Sequence, residues 1–152
     1  MSTIIRPAII ADIPLIARLR WQAFFDGTDR TEDDDAADLL ALLAGDGFEV
    51  ALVAELEGEV VGTCLMVRHE LPPAHDLSPW LAGLVVAAEH RKLGIGADLV
   101  AAIEAHAIDR GIDRIHLYTG TAEPFYERLR WRVAERSIED EEETVLMVRD
   151  LA

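Results

Sequence analysis

A short basic segment with two glycines, residues 90–97, has the composition of a phosphate-binding turn. Its sequence is HRKLGIGA. If a helix begins here, its first N–H groups have no partner within the helix, and the helix dipole favours a bound anion. The glycines let the backbone approach a ligand closely, while Arg91 and Lys92 add two positive charges. The segment therefore predicts a pocket for a phosphate or pyrophosphate group.

Two common nucleotide motifs do not fit this segment. A mononucleotide P-loop continues from its last glycine to a lysine and a serine or threonine, whereas Ala97 and Asp98 follow Gly96. A dinucleotide motif needs a third glycine where Leu99 stands. On this segment alone, a glycine turn with incidental basic residues stays open, and so does a protein for another phosphate ligand.

A second segment, residues 119–131, places a tyrosine next to residues that can pack in a core. Tyr126 follows Phe125 near the start of an expected helix. A phenol has a pKa near ~10 and a thiol near ~8.5, so a tyrosine is a neutral acid at pH 7 that can donate a proton to a departing thiolate. The alternative is a core tyrosine whose hydroxyl has a partner within the protein.

Hydrophobic periodicity and turn residues predict the elements that position these segments. Helices are expected from Asp12, from Thr31 to Leu43, from the glycine turn through Arg110, and over 124–130. Strands are expected at 4–10, 48–56, 60–69, 80–86, 114–119, 131–137 and 144–148. The strand, helix and strand over 80–119 form a β-α-β unit and hence a parallel pair. The prediction is one α/β domain over 1–152, with a mixed, predominantly antiparallel sheet, one central parallel pair and helices on both faces.

The chain of 152 residues has a formal charge of −15 and one cysteine, Cys64. The charge argues against nucleic acid and anionic membranes as partners and favours cationic substrates. Cys64 lies in an apolar run and is interpreted as a buried small hydrophobe, so we expect no disulfide and no metal site.

The acidic clusters at 32–35 and 139–143 are interpreted as solvated turns or helix starts. No signal or membrane-spanning pattern is found, which predicts a cytoplasmic protein.

Taken in order, the two segments resemble the GNAT superfamily of N-acetyltransferases. The family's acetyl-CoA motif, Arg/Gln-x-x-Gly-x-Gly/Ala after a central strand, is similar to the run from Arg91 to Gly96. Its later pattern, Ala-x-x-Phe-Tyr-x-Arg/Lys-x-x-aromatic, is similar to Ala122, Phe125, Tyr126, Arg128 and Trp131. The order of elements agrees over nearly the whole chain. Arg130 stands where the family usually has glycine.

This resemblance implies acetyl-CoA as co-substrate and an amine as acceptor. It implies that the pyrophosphate binds to backbone N–H groups at Arg91, Lys92, Leu93, Gly94, Ile95, Gly96 and Ala97. It also implies that the parallel strands splay, that Val85 and Val86 pair with the pantetheine arm, and that an N–H near Leu84–Val86 polarises the thioester carbonyl. Tyr126 would protonate the CoA thiolate. No covalent enzyme intermediate is implied, and a non-catalytic acyl-CoA sensor of the same fold stays open.

The acceptor pocket in such folds lies between the first two helices and the central hairpin. Trp21, Phe24, Phe25 and Asp26 fall there, so an aromatic wall could hold the amine by cation–π contact, and Asp26 could pair with its charge. Core packing is the alternative for the aromatic residues.

The predicted strand 80–86 has no carboxylate, so the base is expected to be bulk water through a chain of waters. Glu70, His75, Asp76 and Glu123 are weaker alternatives for the base. A homodimer, the acyl-chain preference and the identity of the amine stay open.

Overall fold

A computed structural model describes residues 3–70, 76–139 and 141–151 of the chain. Its helices are α1 (Ile13–Arg20), α2 (Glu32–Leu43), α3 (Ile95–Asp109) and α4 (Glu123–Arg128). Its strands are β1 (Thr3–Pro7), β2 (Val50–Leu56), β3 (Glu59–Val67), β4 (Trp80–Val86), β5 (Arg114–Thr119), β6 (Arg132–Glu139) and β7 (Glu142–Asp150). Short 3₁₀ turns cover Ile10–Asp12 and Ala88–His90, and a π-helical turn covers Trp21–Phe25.

The strands form one seven-stranded sheet in the order β1-β2-β3-β4-β5-β7-β6. Neighbours are antiparallel except for β4 and β5, which are parallel. Trp80 and His116 are the registered pair of these two strands, and the His116 N–H donates to the Pro79 carbonyl at 3.1 Å. Beyond this pair the strands separate, which opens a gap along the later part of β4. The predicted mixed sheet with one central parallel pair is confirmed.

Helices cover both faces of the sheet, as predicted. On one face α3 packs against the sheet through Leu99 and Ile103, which meet Ile115 and Met147 in the larger core cluster. On the other face α1 and α2 bury a smaller cluster. Its members are Ala8, Ile13, Ile16, Ala17, Leu39, Ala51, Val53 and Leu65.

The start of α2 is capped as its sequence indicates, whereas the Asp12 side chain makes no capping hydrogen bond to α1 and instead bonds to residues before it. Thr31 and Asp34 form a reciprocal capping box at the start of α2, with N–H to side-chain oxygen distances of 3.1 and 3.0 Å. Asp12 accepts the Ile9 N–H at 2.8 Å and an Arg6 guanidinium N–H at 2.8 Å. The carboxylate thereby ties β1 to the start of α1.

Several predicted boundaries were wrong by a few residues. The first strand ends at Pro7 because the chain turns at Ile10–Asp12. The first helix continues past Arg20 as a π-helical turn, in which the Asp26 N–H donates to the Trp21 carbonyl five residues earlier. This wider turn rotates the following side chains, so Phe24 is exposed rather than packed in the core. Among the described helices, none combines the length and apolarity that crossing a bilayer requires.

Candidate active site

The segment from β4 into α3 builds a helix start with free donors. Gly94 adopts a left-handed conformation, with φ of +81°, directly before the first residue of α3. Because glycine has no side chain, the first N–H groups of α3 receive no side-chain cap. An added Cβ at Gly94 would meet no atom within 4 Å, so the backbone is open on this side. The helix start can therefore present its N–H groups to an anion.

A cleft of about 480 Å³ lies at this helix start. Nine of the ten residues predicted to bind the cofactor line this cleft. The tenth, Leu93, is 55% exposed and does not line it. The lining residues are Ala23, Phe24, Leu84, Val85, Val86, His90, Arg91, Lys92, Gly94, Ile95, Gly96, Ala97, Ala122 and Phe125. The two predicted segments therefore meet in one cleft, through the glycine turn on one side and Ala122 with Phe125 on the other.

Gly96 keeps this cleft open next to the helix. A Cβ at position 96 would lie 3.4 Å from Cζ of Phe125 and 4.0 Å from Cδ2 of Leu84. The ring of Phe125 is thus held against the first turn of α3. A larger side chain at position 96 would push into the space between the two segments.

The free edge of β4 faces the gap next to β5. The Ala87 N–H donates to the Val61 carbonyl of β3 at 2.8 Å. Backbone groups alternate in direction along a strand, so Val86 directs its N–H and carbonyl to the opposite side, toward the gap. By the same alternation Val85 faces Thr63 of β3, and Leu84, the residue before it, lines the cleft. Nε of Arg91 donates to the Val86 carbonyl at 3.1 Å, which brings this guanidinium to the strand end.

Tyr126 is buried next to the cleft rather than in its wall. Its ring contacts Phe125 and Trp131 edge-on, with ring centroids 5.0 and 5.9 Å away. Burial, with a smaller contribution from the nearby Cys64, raises the pKa of the phenol above its usual range. Its hydroxyl bonds to none of the residues that the structure describes. Tyr126 is therefore a core tyrosine. Its hydroxyl nevertheless lacks, among the described residues, the protein partner that a purely structural role would require.

Cys64 is completely buried in the main core, which confirms its interpretation as a small hydrophobe. Its Sγ lies 3.8 Å from the Ala82 carbonyl oxygen. Burial raises the pKa of this thiol to about 12, so it is not a thiolate at neutral pH. Within the described ranges, no three His, Cys, Asp or Glu side chains gather as a metal site would require.

The predicted acceptor residues do not form a free aromatic wall. Nε1 of Trp21 donates to the Arg30 carbonyl at 3.0 Å. Phe25 already has cationic neighbours, since the guanidinium carbons of Arg20 and Arg30 lie 5.7 and 5.0 Å from its ring centroid. Asp26 is exposed, and Phe24 lines the cleft at the start of α3 instead. Amine binding by Trp21, Phe25 and Asp26 stays a prediction.

A buried ion-pair network beside this region was not predicted from the sequence. Asp35, 1% exposed, accepts Nε and Nη2 of Arg20 at 2.8 and 3.2 Å, and Nη2 of Arg30 at 2.9 Å. The interpretation of the 32–35 cluster as solvated was therefore wrong at Asp35. A signal was available, since Asp35 and the buried Leu39 are four residues apart and share one face of α2.

The residues named as alternative bases differ in their surroundings. Glu123 forms a two-pronged ion pair with Arg136, both distances being 2.8 Å, and this partner holds the pKa of the carboxyl below its usual range. Asp76 is exposed, and His75 lies outside the described residues. A base on one of these side chains stays a prediction.

The arginine that departs from the family pattern does not change the turn. Arg130 adopts a left-handed conformation, with φ of +74°. Its N–H donates to the Glu127 carbonyl at 2.9 Å, and the Trp131 N–H donates to the Tyr126 carbonyl at 3.0 Å. The arginine thus takes a conformation that glycine adopts without strain.

Solved structures with this fold include an N-acetyltransferase from Staphylococcus aureus Mu50, with 17% identity over 100% of both chains and a TM-score of 0.81. A GNAT superfamily phosphinothricin acetyltransferase from Sinorhizobium meliloti, in complex with AcCoA, has 18% identity over 99% of this chain and 89% of its own, with a TM-score of 0.81. A ribosomal-protein-alanine N-acetyltransferase from Brucella melitensis has 21% identity over 97% of this chain and 99% of its own, with a TM-score of 0.80. At such identities the likeness concerns the fold.

Sequence comparisons give one family. A search of curated proteins found no significant match. The model of the acetyltransferase (GNAT) family matches residues 13–130, which is more than half of the chain and includes both segments of the cleft. The chain therefore belongs to the GNAT family of acetyltransferases.

Proposed function

We propose that this protein is an N-acetyltransferase, which transfers the acetyl group of acetyl-CoA to a primary amine by direct attack. The observation that carries the proposal is the position of the cleft. It joins an open helix start with two cations, Arg91 and Lys92, to the exposed backbone edge of β4. A ligand with phosphates at one end and an extended amide-containing arm at the other matches both parts.

The cofactor would bind along the cleft, from the start of α3 to the edge of β4. Its pyrophosphate accepts hydrogen bonds from the N–H groups at the start of α3, assisted by Arg91 and Lys92. Its pantetheine arm passes the apolar wall formed by Leu84, Ala122 and Phe125. Because the Val86 backbone faces the gap, the amides of the arm can pair with it as an added strand would.

The chemistry then needs a neutral amine nitrogen and a stabilised oxyanion. The nitrogen attacks the thioester carbonyl carbon, and the negative charge on the carbonyl oxygen is stabilised by an N–H of Leu84 or Val86 at the gap. Collapse of this intermediate breaks the C–S bond and forms the amide. The nitrogen loses its proton to water, because β4 carries no carboxylate.

The leaving thiolate would be stabilised by Tyr126. Burial raises the pKa of this phenol, whereas a free thiol has a pKa near ~8.5, so complete proton transfer from the phenol is uphill. We therefore assign Tyr126 as a hydrogen-bond donor to the thiolate. The proton that finally neutralises the thiol is the one released by the amine.

Tyr126 is buried behind the cleft wall rather than exposed in it. This position favours one second candidate, a protein that binds acyl-CoA without turnover. Both candidates need the same cleft, but they differ in whether free CoA thiol appears when amines are added. A panel of amines with different charges, assayed for thiol release, separates the two candidates.

The first test is thermal unfolding with and without acetyl-CoA. At ~100 times its dissociation constant the ligand should stabilise the protein by about 2.7 kcal/mol, a rise of several degrees. Arg91→Glu should abolish the rise. Arg18→Glu, an equal charge change on the opposite face of the sheet, should keep it. If neither acetyl-CoA nor CoA raises the melting temperature of the unmodified protein, the proposal is wrong.

A further inference from the structure

The cations of this acidic protein are mostly neutralised by carboxylates, and four of the five exceptions lie close together. The chain has 14 lysines and arginines against 29 aspartates and glutamates. Nine arginines form ion pairs. Within the described residues five cations have no carboxylate partner, and these are Arg18, Arg91, Lys92, Arg128 and Arg130. Several cations without carboxylate partners that lie close together leave local positive charge available to another anion, despite the acidic excess of the chain.

Four of these five cations follow one continuous path. Arg91 and Lys92 line the cofactor cleft. Arg128 and Arg130 line a neighbouring pocket of about 300 Å³ between α3 and the end of α4. Ala97, in the first turn of α3, lines both spaces, so they share a wall. The path thus runs from the helix start along the groove between the two helices.

The third arginine at this pocket, Arg149, is paired with a carboxylate and contacts the backbone of Arg130 rather than adding free charge. Nε of Arg149 lies 3.5 Å from a Glu104 carboxylate oxygen, which neutralises it. Its Nη1 donates to the Arg130 carbonyl at 3.3 Å. Glu104 is itself fixed by Nε1 of Trp131 at 3.2 Å. The Arg130 turn is therefore held from β7, while Arg128 and Arg130 keep their charges available.

Backbone strain indicates that the side chain of Arg130 has a role. Its left-handed conformation would be relaxed in glycine, which needs no other change in the turn. Lys92, also unpaired, has φ of +67°. Strain of this kind tends to persist at ligand sites, where the side chain compensates for it. Two of the four cations on the path are held in this conformation.

We propose that Arg128 and Arg130 bind a second anionic group of the cofactor, a phosphate monoester separate from the pyrophosphate at the start of α3. This inference rests on the proposed function, under which the group is the 3′-phosphate on the ribose of CoA. A monoester carries close to two negative charges and three acceptor oxygens. Neither Arg128 nor Arg130 has a carboxylate partner, and Glu104, which also lines the pocket, is paired with Arg149, so the two guanidinium groups match both the charge and the geometry of a monoester.

The test compares CoA with 3′-dephospho-CoA as ligands in titration calorimetry. The unmodified protein should bind CoA at least about tenfold more tightly, as expected for charge-assisted hydrogen bonds. Arg130→Gly should lose most of this preference while its affinity for 3′-dephospho-CoA changes less than about twofold, and it should melt at a higher temperature because strain is removed. Arg128→Ala should also reduce the preference.

The matched control is Arg18→Ala, which removes an unpaired charge from α1 on the other face of the sheet and should keep the full preference. Equal binding of both ligands by the unmodified protein, or a full preference in both Arg128→Ala and Arg130→Gly, overturns the inference and leaves the proposed function intact. Failure of both ligands to bind overturns the proposed function and the inference together.

Discussion

The guanidinium of Arg20 lies against the backbone of Gly83, where an added Cβ would collide with Nη1 of the arginine. At this point two residues of β4, Gly83 and Leu84, stand opposite one residue of β3, Cys64. The bulge gives Gly83 a φ of +65°. Leu84, the next residue, lines the cleft at the start of α3, so the contact from α1 supports the strand at the edge of the gap.

Gly83→Ala should therefore destabilise the protein in two ways, through the left-handed backbone and through displacement of Arg20. We expect a loss of about 2 kcal/mol or more in the free energy of unfolding, measured by urea denaturation. Gly58→Ala is the matched control, because Gly58 has φ of +83° but no atom within 4 Å of an added Cβ. It should lose only about 1 kcal/mol. Equal losses would show that the Arg20 contact does not restrict position 83.

The buried carboxylate that holds Arg20 should matter more than the exposed one beside it. Asp35→Asn leaves two guanidinium groups without their shared partner, so we expect a loss of about 3–5 kcal/mol. Asp38→Asn removes the other partner of Arg30, but the Asp38 side chain is 72% exposed, and the loss should stay below about 1 kcal/mol. Chemical denaturation of both variants measures the difference. A loss at Asp35 no larger than at Asp38 would contradict the importance of the buried network.

The link between β1 and α1 should make stability depend on pH in the acid range. The Arg6 guanidinium, followed by the Ile9 N–H, holds the pKa of Asp12 below its usual range. A lowered folded-state pKa stabilises the protein above the unfolded value, near ~3.9, and this contribution is lost as pH falls through the folded value. Asp12→Asn should thus be about 1–3 kcal/mol less stable at pH 7. The difference should shrink as the pH falls below ~4. A difference that is constant with pH would be contrary to this linkage.

The strands around the cleft were predictable because their residues repeat a simple pattern. Continuous apolar runs bounded by turn residues set β4 and β5 at 80–86 and 114–119, as the structure has them. The meeting of the glycine turn with Phe125 was also predictable, since one β-α-β unit brings both to the same end of the parallel pair. Local pattern and connection length were sufficient for this part of the site.

The acceptor side was not predictable by the same means. Its aromatic residues lie in a π-helical turn. The spacing of apolar residues along the sequence does not show where an α-helix changes to a π-helical turn. The partners of Phe25 are two guanidinium groups fixed by Asp35, a side chain from another helix. Such partners depend on how α1 and α2 pack, which composition and spacing do not specify.

The role of Tyr126 is best tested by removing its hydroxyl alone. The phenol is buried and its hydroxyl bonds to none of the described residues, so Tyr126→Phe should leave the fold and the affinity for CoA nearly unchanged. Under the proposed role the transfer rate, measured by release of CoA thiol, should fall by about 10²-fold. The rate of the unmodified enzyme should rise with pH as the amine loses its proton, without a decline that reports ionisation of the phenol below pH ~10, because burial raises the pKa of Tyr126. Phe125→Leu is a matched control for packing, since it perturbs the neighbouring ring in the cleft wall and should weaken cofactor binding rather than slow transfer. An unchanged rate in Tyr126→Phe would remove the tyrosine from the reaction and leave the thiolate to be stabilised by solvent.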